Sequence, residues 1–303
     1  MTAPNPARAG HAALLGRPNV GKSTLLNRLI GQKISITAPK PQTTRHVILG
    51  IQTLPDAQIV YVDTPGMHRQ TRRAMNRYLN RAAASVLNYV DVAVFLIEAL
   101  RWTEEDEDVL GRLADFRGPV VLAVNKVDRV ADKTRLLPFL REIAGRRDFA
   151  EVVPVAALKG DNVAALERAI IGLLPVGDFL FPEDQVTTAS ERFLVAELIR
   201  EKLTRLLREE LPYALTVEIE RFVEEGRLTR INAIVWVERE TQKGIVIGER
   251  GATLREVGRQ AREDMERLLG RKVFLETWVK VREGWSDDER ALHSLGYVDP
   301  GTG

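Results

Sequence analysis

Residues 16–23 read Gly-Arg-Pro-Asn-Val-Gly-Lys-Ser, and no other stretch restricts the fold as tightly. The spacing is G-x-x-x-x-G-K-[ST]. Its glycines let the backbone curl until successive N–H groups point at phosphate oxygens. Such a loop belongs between a buried strand and a helix whose positive end adds to the anion field. Both flanks are present: residues 12–15 are an apolar strand and residues 24–30 an amphipathic helix. The Lys22 ammonium is expected to reach the β- and γ-phosphates, and the Ser23 hydroxyl a magnesium ion. Gly16, Arg17, Pro18, Asn19, Val20, Gly21 and Thr24 complete the expected phosphate cradle.

The motifs that follow must fit that frame. Residues 38–45, Ala-Pro-Lys-Pro-Gln-Thr-Thr-Arg, lack hydrophobic periodicity and read as a mobile loop. A threonine there suits a loop that senses magnesium and the γ-phosphate. Thr44 is the first choice and Thr43 the alternative. Two strands, 47–53 and 57–62, flank a Pro55-Asp56 turn, and the second runs into Asp63-Thr64-Pro65-Gly66. An aspartate at a strand end is positioned to hold magnesium, and the Gly66 N–H to reach the γ-phosphate. Lys22, Thr44 and Gly66 are thus the expected catalytic set. Met67 stands where a Ras-like enzyme carries its water-orienting glutamine, so slow turnover is expected. The segment to about residue 71 reads as a second mobile loop, followed by a basic helix over 72–88. The acidic run 103–108 reads as a solvated helix start.

Strand 119–124 ends in Asn125-Lys126-Val127-Asp128. The Asp128 carboxylate can accept from both N1–H and the 2-amino group of guanine, a donor pair adenine lacks. Asn125 and the stem of Lys126 are expected to hold the loop and cover the ring. Strand 151–155 leads into Ala156, Ala157 and Leu158, where a backbone N–H, best that of Ala157, is aimed at guanine O6. A helix over 163–174 closes the unit. Alternating strands and helices argue a doubly wound, mostly parallel sheet with GTP or GDP at the strand ends.

The second half differs in charge. The first 177 residues carry a net +7, the remainder −5, with a local +5 between Arg227 and Arg282. Only that patch suits a nucleic acid. The expected boundaries are a flexible 1–8, a GTP-binding domain over 9–176, a proline-punctuated linker over 177–189 and a second domain over 190–303. In that domain Ser190 caps a helix to about 210, with Leu194, Leu198, Leu203, Leu206 and Leu207 on one face. Strands around a Gly226 turn, two helical segments and a last strand give the order α-β-β-α-α-β. Gly248-Glu249-Arg250-Gly251 is the GxxG of a KH domain, whose loop clamps about four nucleotides. Lys243, Ile245, Ile247, Gly248, Glu249, Arg250, Gly251 and Arg255 are the expected RNA contacts, the two isoleucines as a floor for bases. Asp287, Asp288 and Glu289 read as a capped helix start, and residues 297–303 as loose. There is no cysteine, hence no disulfide framework. The apolar run 92–97 is too short to span a bilayer.

Six segments together resemble the bacterial Era GTPases: 16–24, 33–37 with 41–46, 63–68, 125–128, 245–252 and 284–297. The last two, joined to a GTPase domain, are specific to that family, and the resemblance runs from about residue 9 to 297. It implies a phosphate-loop GTPase domain followed by an α+β type II KH domain. It implies a ribosome-biogenesis factor that binds the 3′ end of small-subunit ribosomal RNA and the small subunit, with GTP state and RNA binding coupled. Such proteins are described as cytoplasmic, with peripheral membrane association, and a monomer is expected. In similar GTPases the asparagine at Asn19 helps bind potassium, so K+ is an expected accessory beside Mg2+. Ala156 departs from the family's usual serine. A binding module with negligible turnover is the alternative reading.

Overall fold

The computed structural model describes residues 6–66 and 73–297. Met67, the expected second loop to residue 71, and residues 1–5 and 298–303 lie outside them. The first unit is a six-stranded sheet in the order β2-β3-β1-β4-β5-β6. Its strands are β1 (Arg8–Leu15), β2 (Ile48–Leu54), β3 (Ala57–Asp63), β4 (Val92–Glu98), β5 (Val120–Asn125) and β6 (Glu151–Pro154). All pairs are parallel except β2 with β3. Every residue of β3 and β5 is buried, as a sheet covered on both faces requires. Helices α1 (Lys22–Ile30) and α5 (Val163–Leu173) pack on one face. Helices α3 (Glu104–Arg112) and α4 (Leu136–Ala144) pack on the other. Helix α2 (Ala74–Ser85) ends in a short 3₁₀ turn.

β1 begins at Arg8, four residues before the expected start at Ala12, because its first residues pair with the far end of β3. Residues 177–189 are not a slack linker. The Gln58 side chain donates to Phe181 C=O at 2.8 Å and accepts from the N–H groups of Leu180 and Phe181. Ile51 N–H donates to Val186 C=O, and the Thr187 hydroxyl to Leu49 C=O. The connector thereby covers the β2 edge, which would otherwise present unpaired backbone groups.

The second unit has the expected α-β-β-α-α-β order: α6 (Glu191–Leu206), β7 (Leu215–Glu225), β8 (Leu228–Val237), α7 (Glu240–Ile247), α8 (Ala252–Leu269) and β9 (Lys272–Val281). β7 and β8 are antiparallel, β8 and β9 parallel. Ser190 caps α6 by accepting from Phe193 N–H. α6 stops at Leu206, short of residue 210, and Leu206 itself is exposed while Leu207 is buried. A last helix, α9 (Glu289–Ser294), is capped by Asp288 as expected.

One expectation about this end fails, because the C-terminal segment packs on the first unit. Tyr297, expected to be loose, is buried with Trp285, Ala291 and Leu292 against Met75, Tyr78 and Leu79 of α2. Asp287 accepts from Ala74 N–H at 2.8 Å and so caps α2 from across the domain junction.

Candidate GTP site and nucleic-acid groove

The sheet's strand ends open on a cavity of about 470 Å³ lined by the loop after β1, residues 36–44, Gly66, Asn125, Lys126, Asp128, Ala157 and Leu158. Gly16, Asn19 and Gly21 all take positive φ, which curls the loop. A side chain at Gly21 would strike Asn125 Nδ2, so the phosphate loop and the base loop are in direct contact. Asn125 joins them further. Its Nδ2 donates to Val20 C=O at 2.9 Å, and its Oδ1 accepts from the N–H groups of Lys126 and Ala157. The Ala157 N–H expected at guanine O6 donates here to Asn125 Oδ1 at 3.0 Å. Asp128 and the 65% exposed Leu158 stand at the cavity mouth, while Ala156 is fully buried.

Ser23 Oγ lies 2.7 Å from both Thr44 Oγ1 and Asp63 Oδ2. Thr43 turns away, donating to Lys40 C=O at 2.7 Å. The loop thus presents Thr44 and not its neighbour. Asp63 is fully buried, and its Oδ1 has no hydrogen-bond partner among the described residues. Burial pushes the Asp63 carboxyl up, against the pull of Lys22 and the hydroxyls of Ser23, Ser35 and Thr44. Burial likewise pushes the Lys22 ammonium down to about 8, opposed by Asp63. Lys22 Nζ donates to the carbonyls of Gly16 and Arg17. Two hydroxyls, a carboxylate with a spare oxygen and an under-solvated ammonium fit a hard divalent cation beside phosphates. Ser23, Thr44 and Asp63 would hold Mg2+, and Lys22 the phosphates.

Arg17 departs from expectation. Its guanidinium turns out of the cradle to Glu98 Oε2 at 2.8 Å and Asp106 Oδ2 at 3.2 Å. Glu98 also accepts from Lys126 Nζ at 3.0 Å, so it ties the phosphate loop to the base loop. The acidic run is correspondingly not all solvated: Asp106 is fully buried and closes a capping box with Thr103. Arg28 of α1 is a second clamp the motifs did not flag, donating to the carbonyls of Ala157 and Leu158. Only position hints at Glu98, which stands at the carboxyl end of β4 where ligand-facing residues gather.

In the second unit Gly248 and Gly251 take φ of 75° and 78° around Arg250, itself at 50°. A groove of about 420 Å³ runs beside Gly251, Leu254, Arg255 and Arg262 to Leu275 and Thr277 of β9. Arg255 bends to Arg250 C=O at 3.5 Å. Ile245 is 55% exposed, but Ile247 packs toward the core, so the expected floor of two isoleucines is one. Of the expected contacts Gly251 and Arg255 line the groove, whereas Lys243, Ile245, Ile247, Gly248, Glu249 and Arg250 do not. Arg259 and Arg262 are engaged with Glu256, Glu263 and Glu266.

This architecture defines a phosphate-loop GTPase that carries a KH domain on the same chain. Residues 11–126 match the family model of the 50S ribosome-binding GTPase, and residues 210–286 that of the KH domain. The GTPase Era of Azotobacter vinelandii is 56% identical over 299 residues, covering 99% of this chain and all of that one. The GTPase Era of Xanthomonas oryzae is 59% identical over 293 residues, covering 97% and 98%. A single-residue variant of Aquifex aeolicus Era, bound to GDP·AlF4⁻, superposes with a TM-score of 0.93 at 37% identity, covering 96% of this chain and 99% of that one. An Era solved with MgGDPNP and nucleotides 1506–1542 of 16S ribosomal RNA gives 0.93 at 38%, with the same coverage. The chain belongs to the Era family of GTPases. It converts GTP to GDP and phosphate, with Mg2+ as cofactor.

Proposed function

We propose that this chain is a GTP-controlled factor that binds the 3′ end of small-subunit ribosomal RNA and assists small-subunit assembly. One observation carries the coupling. Helix α6 of the KH domain grips the Thr44 loop, and the same helix packs beside α8, which begins at the GxxG loop. The related Era with MgGDPNP and a 16S ribosomal RNA segment supports the partner.

In this reading Asp128 selects guanine, and the loop backbone with Lys22 balances the phosphate charge. Ser23, Thr44 and Asp63 would hold Mg2+, which would supply positive charge against the phosphates. Ser23 and Asp63 are fixed by the fold, whereas Thr44 comes from a loop anchored in the other domain. Asn19 lines the cavity and is the residue through which K+ would act. The RNA groove takes backbone at Gly248 to Gly251, with Arg250 and Arg255 on the phosphates. The protein works as a monomer in the cytoplasm, where its partner is made.

The deciding measurement is affinity for a short single-stranded ribosomal 3′-end RNA, with GDP and then with a non-hydrolysable GTP analogue. Tighter binding with the analogue is expected. Equal affinity in both states overturns the coupling and leaves two independent modules.

A further inference from the structure

Thr44 is held from both sides by the second domain. On one side, Arg200 of α6 donates through Nη2 to the carbonyl of Thr43. On the other, the Arg45 side chain crosses into the KH domain. It donates to the carbonyls of Leu215 at 2.7 Å, Pro212 at 2.9 Å and Tyr213 at 3.2 Å. Both arginines are at most 1% exposed. Arg200 is itself fixed by a two-pronged pair with Glu197, one turn back on α6. The far end of the loop is gripped by the same helix. Glu201 accepts from Thr37 N–H at 2.9 Å, and Arg205 donates to Thr37 C=O at 2.7 Å. His46 then packs between Phe193 of α6 and Tyr297.

Neither Arg200 nor Arg45 lines the nucleotide cavity, so no step of GTP chemistry needs their side chains directly. Yet the hydroxyl between the two anchors is the one that meets Ser23 at 2.7 Å. The backbone on either side of Thr44 cannot shift by a residue's width without breaking a bond to the KH domain.

We infer that Arg200 and Arg45 are positioning residues, through which the KH domain places the Thr44 hydroxyl in the magnesium site. The inference rests on the proposed coupling and names the groups that carry it. Its signature is selectivity. Loops of this kind are ordered by contacts that include the γ-phosphate and magnesium, and they are released with GDP. Losing the anchors therefore weakens GTP binding and leaves GDP binding intact. A residue that merely stabilised the fold would affect both alike.

The test uses the full chain with Arg200→Lys and, separately, Arg45→Lys. Lysine keeps the charge beside Glu197 but loses the fork that serves two or three acceptors at once. Affinities for GDP and for the non-hydrolysable GTP analogue are measured across a Mg2+ titration. The analogue is expected to bind about tenfold more weakly, a typical coupling magnitude, with its Mg2+ requirement shifted upward and GDP affinity unchanged. Parallel losses for both nucleotides, or no loss for either, overturn the inference. Should one variant fail to fold, the other reads the same quantity. The wild type's RNA affinity in the two nucleotide states separates the two claims. If that affinity is state-independent, the proposed coupling fails. If it is state-dependent and both variants keep full GTP selectivity, the positioning role fails.

Discussion

Arg17 sits inside the phosphate loop, but its charge is taken up by Glu98 and Asp106. Removing one partner of so buried a pair strands the other. Asp106→Ala is expected to cost about 3 kcal/mol in urea unfolding, partly recovered in the Asp106→Ala/Arg17→Met double variant. Asp128 acts differently. Asp128→Asn replaces an acceptor with an amide that matches the 2-oxo group of xanthine. GTP affinity should fall by about 10⁴ while xanthosine triphosphate gains, as competition binding will read. At this scale the motif residues were legible because backbone curvature and guanine chemistry dictate their types. Glu98, Asp106 and Arg28 were not. A carboxylate in an acidic run looks solvated unless the guanidinium that buries it is known, and Arg17 is 89 positions away in sequence.

Strands and helices were the most legible level, since each carries its own periodicity. Their ends moved by a few residues where pairing decided, as at Arg8 in β1 and Leu206 in α6. The loops misled more. Residues 38–45 have the composition of a mobile loop, yet Thr43 and Arg45 are bonded to the KH domain. Nothing local encodes that anchoring, because the acceptors at 212, 213 and 215 are backbone carbonyls of ordinary appearance. At the GxxG loop the two glycines are unequal. A side chain at Gly248 would strike Thr253, whereas one at Gly251 meets nothing within 4 Å. Aspartate also tolerates the left-handed conformation Gly251 adopts better than most residues. Gly251→Asp is thus the cleaner probe of the groove. RNA affinity should fall at every sequence tested, with the salt slope reduced by about 1, and GDP affinity should not change.

Across the whole molecule the two domains are joined by charge as well as by Tyr297 and Trp285. Lys33, just past α1, meets Glu201 at 2.5 Å and Asp264 of α8 at 3.0 Å. Burial pushes the Asp264 carboxyl up, but hydrogen bonds from Lys202 and Lys33 prevail and hold it at about 2 instead of 3.8. A depressed carboxylate contributes stability above its ordinary value and loses it as pH falls through the folded value. The wild type should therefore lose thermal stability between pH 3.8 and about 2, and Asp264→Asn should lose less over that window in a calorimetric series. The junction was the least legible feature of all, since it depends on residues more than 160 positions apart. The connector sets what happens when it opens. The chain is pinned to the β2 edge as far as Thr187, and Ser190 already caps α6, so two residues separate the domains. Those residues span about 7 Å at full extension. An undocked KH domain can pivot but not drift, and its effective concentration stays at millimolar or above. Redocking is a unimolecular step, set by hinge geometry and independent of how much protein the cell holds.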